Sequence, residues 1–293
     1  MKKTISLALG VIVALSALFV SCAGNDSYPC SVQISSTEGG KASITNHEGV
    51  SIELLAGVAV EVVAVPDAGY EFIGWFVGNT KKSDKATWKF VAKEDLALTA
   101  MFERPKVDLG LSSGTKWAAY NVGAVKPEEY GGYYAWGETE EKTEYSWATY
   151  KWCQGTNDTM SKYCTNNLFG IVDNKTVLDL EDDAAYVKWG GDWRMPTKAE
   201  QEELRLECNW EKETLNGVDG YRITGPNGNS IFLPSASYRY GTDIYDRGSC
   251  GDYWSGSLDS GFCSYACHLH FENKNEAWSS FRYYGRSVRA VCK

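Results

Sequence analysis

Val63-Ala64-Val65-Pro66-Asp67-Ala68-Gly69-Tyr70-Glu71-Phe72-Ile73-Gly74-Trp75 reads as strand, turn, strand. β-Branched and aromatic residues fill both arms. The Pro66-Asp67-Ala68-Gly69 link is turn chemistry: proline presets φ, aspartate bonds its own backbone and glycine accepts a left-handed conformation. Working outward, alternation of apolar and polar residues marks short strands at 31–36, 41–45, 58–65, 71–77, 87–91 and 96–102, with turns at Gly39-Gly40 and Lys81-Lys82-Ser83-Asp84. Residues 30–104 are therefore expected to form a small all-β module. Strand alternation sets Phe72 and Gly74 on one face of its sheet and Ile73 and Trp75 on the other. Tyr70, Phe72 and Trp75 are read as core, because a module this small needs its large side chains to close one.

Ahead of the module, Lys2-Lys3 precede a mostly apolar run over 5–20, followed by Ser21-Cys22 and the polar stretch Ala23-Gly24-Asn25-Asp26-Ser27. That order is an export signal, and the run is too short and too abruptly ended for a stable spanning helix. It resembles a bacterial lipoprotein signal, with Phe19 where leucine is usual. The resemblance implies cleavage before Cys22 and a lipid on its sulfur. Residues 1–21 are thus expected as signal and 22–29 as linker, with the protein lipid-anchored at Cys22 in the outer membrane of the cell envelope and exposed at the surface. The net charge of the 293-residue chain is −9, and −11 once 1–21 are gone. That sign excludes a phosphate-backbone binder, so nucleic acid is not an expected partner. Cys30, Cys153, Cys164, Cys208, Cys250, Cys263, Cys267 and Cys292 include no CxxC pair. Export permits disulfides among them, but spacing does not choose a pairing.

Pro105-Lys106 marks a boundary, beyond which nine of the eleven tryptophans lie. Asp179 is placed to cap a helix through 181–188 that Gly190-Gly191 ends. Thr197-Lys198-Ala199-Glu200 is a capping box opening a second helix to about Cys208. Strand-like runs follow at 221–224, 230–233, 266–271 and 287–291. The expected fold class is α+β, an all-β repeat domain at 30–104 followed by a mixed domain at 107–293, with Trp193 buried in the Gly191-Asp192-Trp193-Arg194 turn.

The stretch 63–75, together with Leu98-Thr99-Ala100-Met101-Phe102-Glu103, resembles the divergent β-repeat of bacterial surface proteins, which implies a spacer. Four later stretches resemble the Fibrobacter succinogenes major paralogous domain: Val107-Asp108-Leu109-Gly110-Leu111-Ser112-Ser113-Gly114-Thr115-Lys116-Trp117-Ala118, Tyr130-Gly131-Gly132-Tyr133-Tyr134-Ala135-Trp136-Gly137-Glu138-Thr139, Trp189-Gly190-Gly191-Asp192-Trp193-Arg194-Met195-Pro196-Thr197 and Ser230-Ile231-Phe232-Leu233-Pro234. That resemblance implies a C-type lectin-like fold, in the branch shared with formylglycine-generating enzymes and with variable proteins of diversity-generating retroelements. It also implies a loop-rich ligand face near the C-terminus. Against the enzyme branch, Arg194-Met195-Pro196-Thr197-Lys198-Ala199-Glu200-Gln201 keeps the helix-opening frame but has Gln201 in place of tryptophan. That branch needs a cysteine pair, which only Cys263 with Cys267 offers; a disulfide or two packed thiols is the plainer reading. No catalytic residue is expected.

Cys263, Cys267, His268 and His270 form the densest run of metal-ligating side chains. Alternation puts His268 and His270 on one face with Ala266 and Glu272, facing outward, and Cys267, Leu269 and Phe271 on the buried face. The two histidines are read as contact residues, and Asp179, Glu181, Asp182 and Asp183 as helix capping instead of calcium ligands. No metal and no cofactor are expected. The Glu-Pro-Asn and Trp-Asn-Asp signatures of calcium-dependent lectins are missing. From Tyr238 to Tyr284 a few frame residues alternate with Tyr, Ser, Asp, Arg, His, Cys and Phe, a composition suited to displayed contacts. The same set fits the codon outcomes of retroelement diversification, Glu272, Lys274, Glu276 and Trp278 excepted. The expected ligand-binding residues are Tyr238, Tyr240, Tyr245, Tyr265, His268, His270, Trp278, Tyr283 and Tyr284. The function expected is a non-catalytic cell-surface lipoprotein whose partner is a glycan or protein ligand. A formylglycine-generating-type cysteine oxidase and a structural envelope protein are the alternatives.

Overall fold

Eight strands follow one another in the first part of the chain: β1 (Pro29–Ser36), β2 (Gly40–Ile44), β3 (Ser51–Leu55), β4 (Ala59–Pro66), β5 (Glu71–Val77), β6 (Thr80–Ser83), β7 (Thr87–Val91) and β8 (Leu96–Glu103). The computed structural model describes residues 28–272 and 275–293. The signal segment and Cys22 lie outside them, as does most of the 22–29 linker. Among the described residues no helix is long and apolar enough to cross a membrane.

The eight strands form two sheets, β3-β1-β8-β5-β6 and β2-β4-β7. Alternate residues from both close one core: Val32 and Ile34, Val60, Val62 and Ala64, Leu98 and Ala100, around a fully buried Trp75. β1 pairs antiparallel with β3 and parallel with β8. Plain alternation fails within β5. A bulge between Phe72 and Gly74 shifts β5 against β8, so Phe72 and Trp75 turn to the same core with ring centroids 5.9 Å apart. Gly74 supplies the bulge by adopting φ +151.

The second part is not the α+β domain that the two helix signals suggested. Among the described residues, four three-stranded sheets build it. β9 (Lys106–Asp108) and β10 (Lys116–Ala118) join the last strand of the chain. β11 (Asn209–Leu215), β12 (Val218–Thr224) and β13 (Ser230–Pro234) form a meander. β14 (Tyr238–Tyr240) and β15 (Asp243–Tyr245) form a third sheet with β19, while β16 (Gly251–Leu258), β17 (Tyr265–Phe271) and β18 (Asn275–Phe281) form a second meander. β19 (Gly285–Arg286) and β20 (Val291–Cys292) end the chain.

Two short α-helices are all the helix this part contains among the described residues, apart from single 3-10 turns: α1 (Ala184–Trp189) of 6 residues and α2 (Lys198–Glu207) of 10. The mostly-β content overturns the α+β, lectin-like expectation. The reason is local. Asp179 starts only the 3-10 turn Leu180–Asp182, and Asp183 is the residue that caps α1, accepting from the N–H groups of Ala185 and Tyr186. Gly190 at φ 67 then stops α1 within two turns. The acids of this stretch are paired with lysines: Lys162 Nζ lies 2.6 Å from both Asp179 and Asp182. The capping box Thr197–Glu200 forms as expected. Gln201 anchors α2 to β16, its Nε2 donating to the carbonyls of Tyr253 and Trp254 at 2.9 and 3.1 Å.

Residues 119–179 contain no strand and no α-helix. Two arginines buried from solvent hold this loop. Arg282 donates to Tyr150 Oη at 2.8 Å and to the carbonyls of Lys162, Tyr163 and Cys263. Arg289 binds Asn121 Oδ1 at 2.8 Å and the carbonyls of Ala118, Ala119 and Phe232. The indoles of Trp136 and Trp254 bury their N–H groups on Ser255 O and Tyr134 O at 2.8 and 2.9 Å. Trp193, expected buried, is half-buried beside Trp189.

The repeat domain docks on the second part through Arg104. Its guanidinium lies 4.3 Å from the Tyr70 ring centroid and 4.8 Å from that of Trp189. Tyr120 Oη donates to Gly69 O in the turn that opened the sequence reading.

Candidate functional site

β16 and β17 pair so that Asp252 stands opposite His270 and Trp254 opposite His268. Period-two alternation then puts Asp252, Trp254, His268 and His270 on one face. β18 continues it, with His268 opposite Trp278 and His270 opposite Glu276. Tyr238 of β14, Arg286 of β19 and Tyr284 rise beside this face and enclose a cleft of about 650 Å³.

Asp252 is the centre of its floor. Arg286 donates to Oδ1, and His270 Nδ1 is 3.2 Å from the same oxygen. Cys250 Sγ lies 3.7 Å from Oδ2 and 3.4 Å from Ser237 Oγ. Burial alone would push the Asp252 carboxyl up, but the Arg286 charge and the adjacent histidines outweigh it and hold the group well below the usual carboxylate range. Burial pushes the Cys250 thiol up to about 11, with Asp252 adding to the rise. His268 is lowered to about 4 by burial and then by the Arg286 charge, so its ring is neutral at ordinary pH. Arg286 also donates to Ser280 Oγ at 2.5 Å and lies 4.9 Å from the Trp254 ring centroid.

One wall of the cleft is aromatic. Trp278, half exposed, stacks on His270 with centroids 4.4 Å apart and planes 14° apart. Tyr238 stacks on Tyr245 at 5.6 Å and touches Tyr284 at 5.3 Å. Tyr240 lies against Tyr245 and Tyr284, extending the aromatic surface outward from the cleft.

Five of the nine residues expected to bind ligand therefore line this cleft: Tyr238, His268, His270, Trp278 and Tyr284. Tyr240 and Tyr245 are exposed beside it. Three placements depart from expectation. His268 shares a face with His270, yet that face is covered by β14 and β19, and His268 is only 1% exposed. Tyr283 is buried against Trp147, with centroids 4.7 Å apart, so it supports Tyr284 and offers little surface of its own. Tyr265 lies at the other end of β17, packed between Phe262 and Phe281.

Sequence reasoning missed Cys250, Asp252, Ser280 and Arg286. The signal was present as two alternating pairs, Cys250-x-Asp252 and His268-x-His270, but only the strand register shows that they face each other.

The cysteine pair weighed for the enzyme branch is split. Cys267 Sγ faces Leu258 O at 3.6 Å, whereas Cys263 Sγ accepts from Thr165 N–H at 3.0 Å and sits beside Cys164. A wider, shallower groove of about 970 Å³ runs along α2. Its carboxylates are already engaged: Glu200 with Arg194, Glu203 with Ser113 and Glu207 with Ser112.

No curated protein matches the chain, and neither does any solved structure. One family does match, over the first part only. Residues 30–106 match the divergent InlB B-repeat domain, a bacterial repeat, which agrees with the strand pattern of 30–104 and is consistent with a surface or structural protein.

Proposed function

We propose that this chain is a non-catalytic recognition protein of the bacterial surface. In this reading a lipid on Cys22 anchors it in the outer membrane, the repeat domain acts as spacer, and the cleft with its aromatic wall captures a ligand. The observation that carries the proposal is the cleft itself. A floor of fixed charge, Asp252 with Arg286, lies under an aromatic wall whose outer members Trp278, Tyr240 and Tyr245 are exposed while their inner neighbours are packed. Rigid aromatic surface next to oriented polar groups is how proteins hold ligands with little entropic cost. Trp278 lies flat on His270 and offers its free face to the apolar side of a sugar ring or to a side chain of a protein partner. The non-catalytic reading rests on the Cys250 thiol, which burial raises and which meets a carboxylate already taken by Arg286.

Glycan and protein arrays probed with the mature chain test this. Trp278→Ala and the pair Tyr240→Ala with Tyr245→Ala are expected to weaken a captured ligand at least about tenfold, near 1.4 kcal/mol, with the melting temperature unchanged. Equal capture by these variants overturns the reading.

A further inference from the structure

In the floor of the cleft, Cys250 Sγ, a carboxylate oxygen of Asp252 and a ring nitrogen of His270 lie within 4.8 Å of one another. The sheet makes this grouping. Cys250 and Asp252 alternate at the start of β16, His268 and His270 alternate on β17, and the register sets Asp252 opposite His270. A Cys-x-Asp pair and a His-x-His pair thus meet on one face.

We propose that this floor is a transition-metal site, for zinc first, with Cys250, Asp252 and His270 as its ligands. Thiolate, carboxylate and imidazole are the donor types zinc takes, and three protein ligands with a fourth position open to a cleft is a common zinc arrangement. Two observations beyond the grouping point the same way. His268 is 1% exposed, and neither of its ring nitrogens makes a well-aligned hydrogen bond among the described residues. Its Nε2 faces Asp252 at 3.1 Å. A buried imidazole that meets its carboxylate only in this poorly aligned contact is costly, and a cation held at Asp252 gives the lone pair of the neutral ring something to face. The second observation is the outer support of the carboxylate. Arg286 holds Oδ1 while Oδ2 faces the Cys250 sulfur, the kind of neighbour that orients a metal-binding carboxylate.

The chemistry balances without an oxidant. The S–H bond of Cys250 breaks, its proton leaves to solvent, and the sulfur lone pair forms the bond to Zn2+, whose oxidation state does not change. Thiolate and carboxylate then match the charge of the ion. The positive charge of Arg286 remains, and Asp246 and Glu272 on the cleft walls face the same space. The open position favours water, hydroxide or an anionic group of a ligand. This site stands apart from the recognition reading: zinc binds whether or not the cleft captures anything else.

The test uses the mature chain, stripped with a chelator and then freed of it. Zinc is titrated against a chromophoric competitor, and cobalt(II) is added separately as a spectroscopic probe. The expected result is one equivalent of zinc and a cobalt complex with a near-ultraviolet thiolate charge-transfer band that Cys250→Ser abolishes. His270→Ala weakens zinc by about a hundredfold or more, since loss of a ligand exceeds the effect of losing an outer partner. His47→Ala, in the repeat domain, leaves binding unchanged. Circular dichroism checks that each variant folds, and the cobalt spectrum of the unmutated chain decides the matter if one does not. Substoichiometric zinc, a cobalt complex without the thiolate band, or equal affinity in a folded His270→Ala overturns the proposal. Ligand capture by the metal-free chain is read separately, so a failed metal site and a failed recognition face are distinguishable.

Discussion

Glu200 carries two jobs at the start of α2. Its oxygens take both ends of the Arg194 guanidinium at 2.6 and 2.7 Å, and it accepts from Thr197 N–H at 2.8 Å and Thr115 Oγ1 at 3.0 Å. Burial pushes this carboxyl up, but Arg194 and the Thr197 N–H outweigh it and bring it from 4.5 down to about 2. A carboxylate lowered by folding adds stability that is present above about pH 4.5 and is lost as the pH falls through about 2. Glu200→Gln is therefore expected to cost about 3 kcal/mol near pH 7, and about half that near pH 3. Denaturant unfolding of both proteins at the two pH values measures the gap, and a gap independent of pH refutes the assignment. The capping box made Glu200 legible in the sequence, because Arg194 and Thr197 are local, whereas Thr115 lies 85 residues away. Arg282 and Arg289 were not legible, since their carbonyl partners lie up to 171 residues away. Arg282 stood among residues that looked displayed, and its burial follows from its three nitrogens finding four oxygens and a sulfur inside the fold.

Among elements, β5 and β7 end where the sequence pattern said they would, at Glu71–Val77 and Thr87–Val91. Each has polar punctuation at both ends. β16 had no such signal, being buried on both faces, so its residues show no alternation to read. β6 and β11 are edge strands rich in lysine, glutamate and threonine, which is how edges are kept from pairing but also what hides them. The face of His268 and His270 was legible and its exposure was not, because β14 and β19 arrive from elsewhere in the chain to cover it. The β5 bulge is the clearest case of a single residue deciding an element. A Cβ at Gly74 would lie 2.8 Å from Ser83 O on β6, and φ +151 is foreign to other residues. Gly74→Ala is expected to destabilise the repeat domain by about 1–3 kcal/mol. Thermal unfolding decides, and an unchanged midpoint means that the bulge is not needed to bring Phe72 and Trp75 together.

For the molecule as a whole, the boundary at Pro105-Lys106 was legible, whereas the class of the second part was not. Capping signals mark where helices begin but not how short they are, and a long loop held by buried arginines has no periodicity to find. The two parts are joined by more than a linker, since Arg104 lies between Tyr70 and Trp189 and Tyr120 reaches the Gly69 carbonyl. Trp189→Ala is expected to uncouple them, turning one calorimetric transition into two; a single transition in the variant shows that the remaining contacts suffice. The parallel pairing of β1 with β8 matters in another way. The chain enters the repeat at the start of β1 and leaves at the end of β8, which lie at opposite ends of a ladder running from Val32–Leu96 to Ser36–Ala100. A pull on the two ends of the repeat therefore shears this ladder along its length and does not peel it rung by rung, so its hydrogen bonds share the load and must yield together. Such a domain is a stiff coupling under tension, able to carry load from one end to the other without first unravelling.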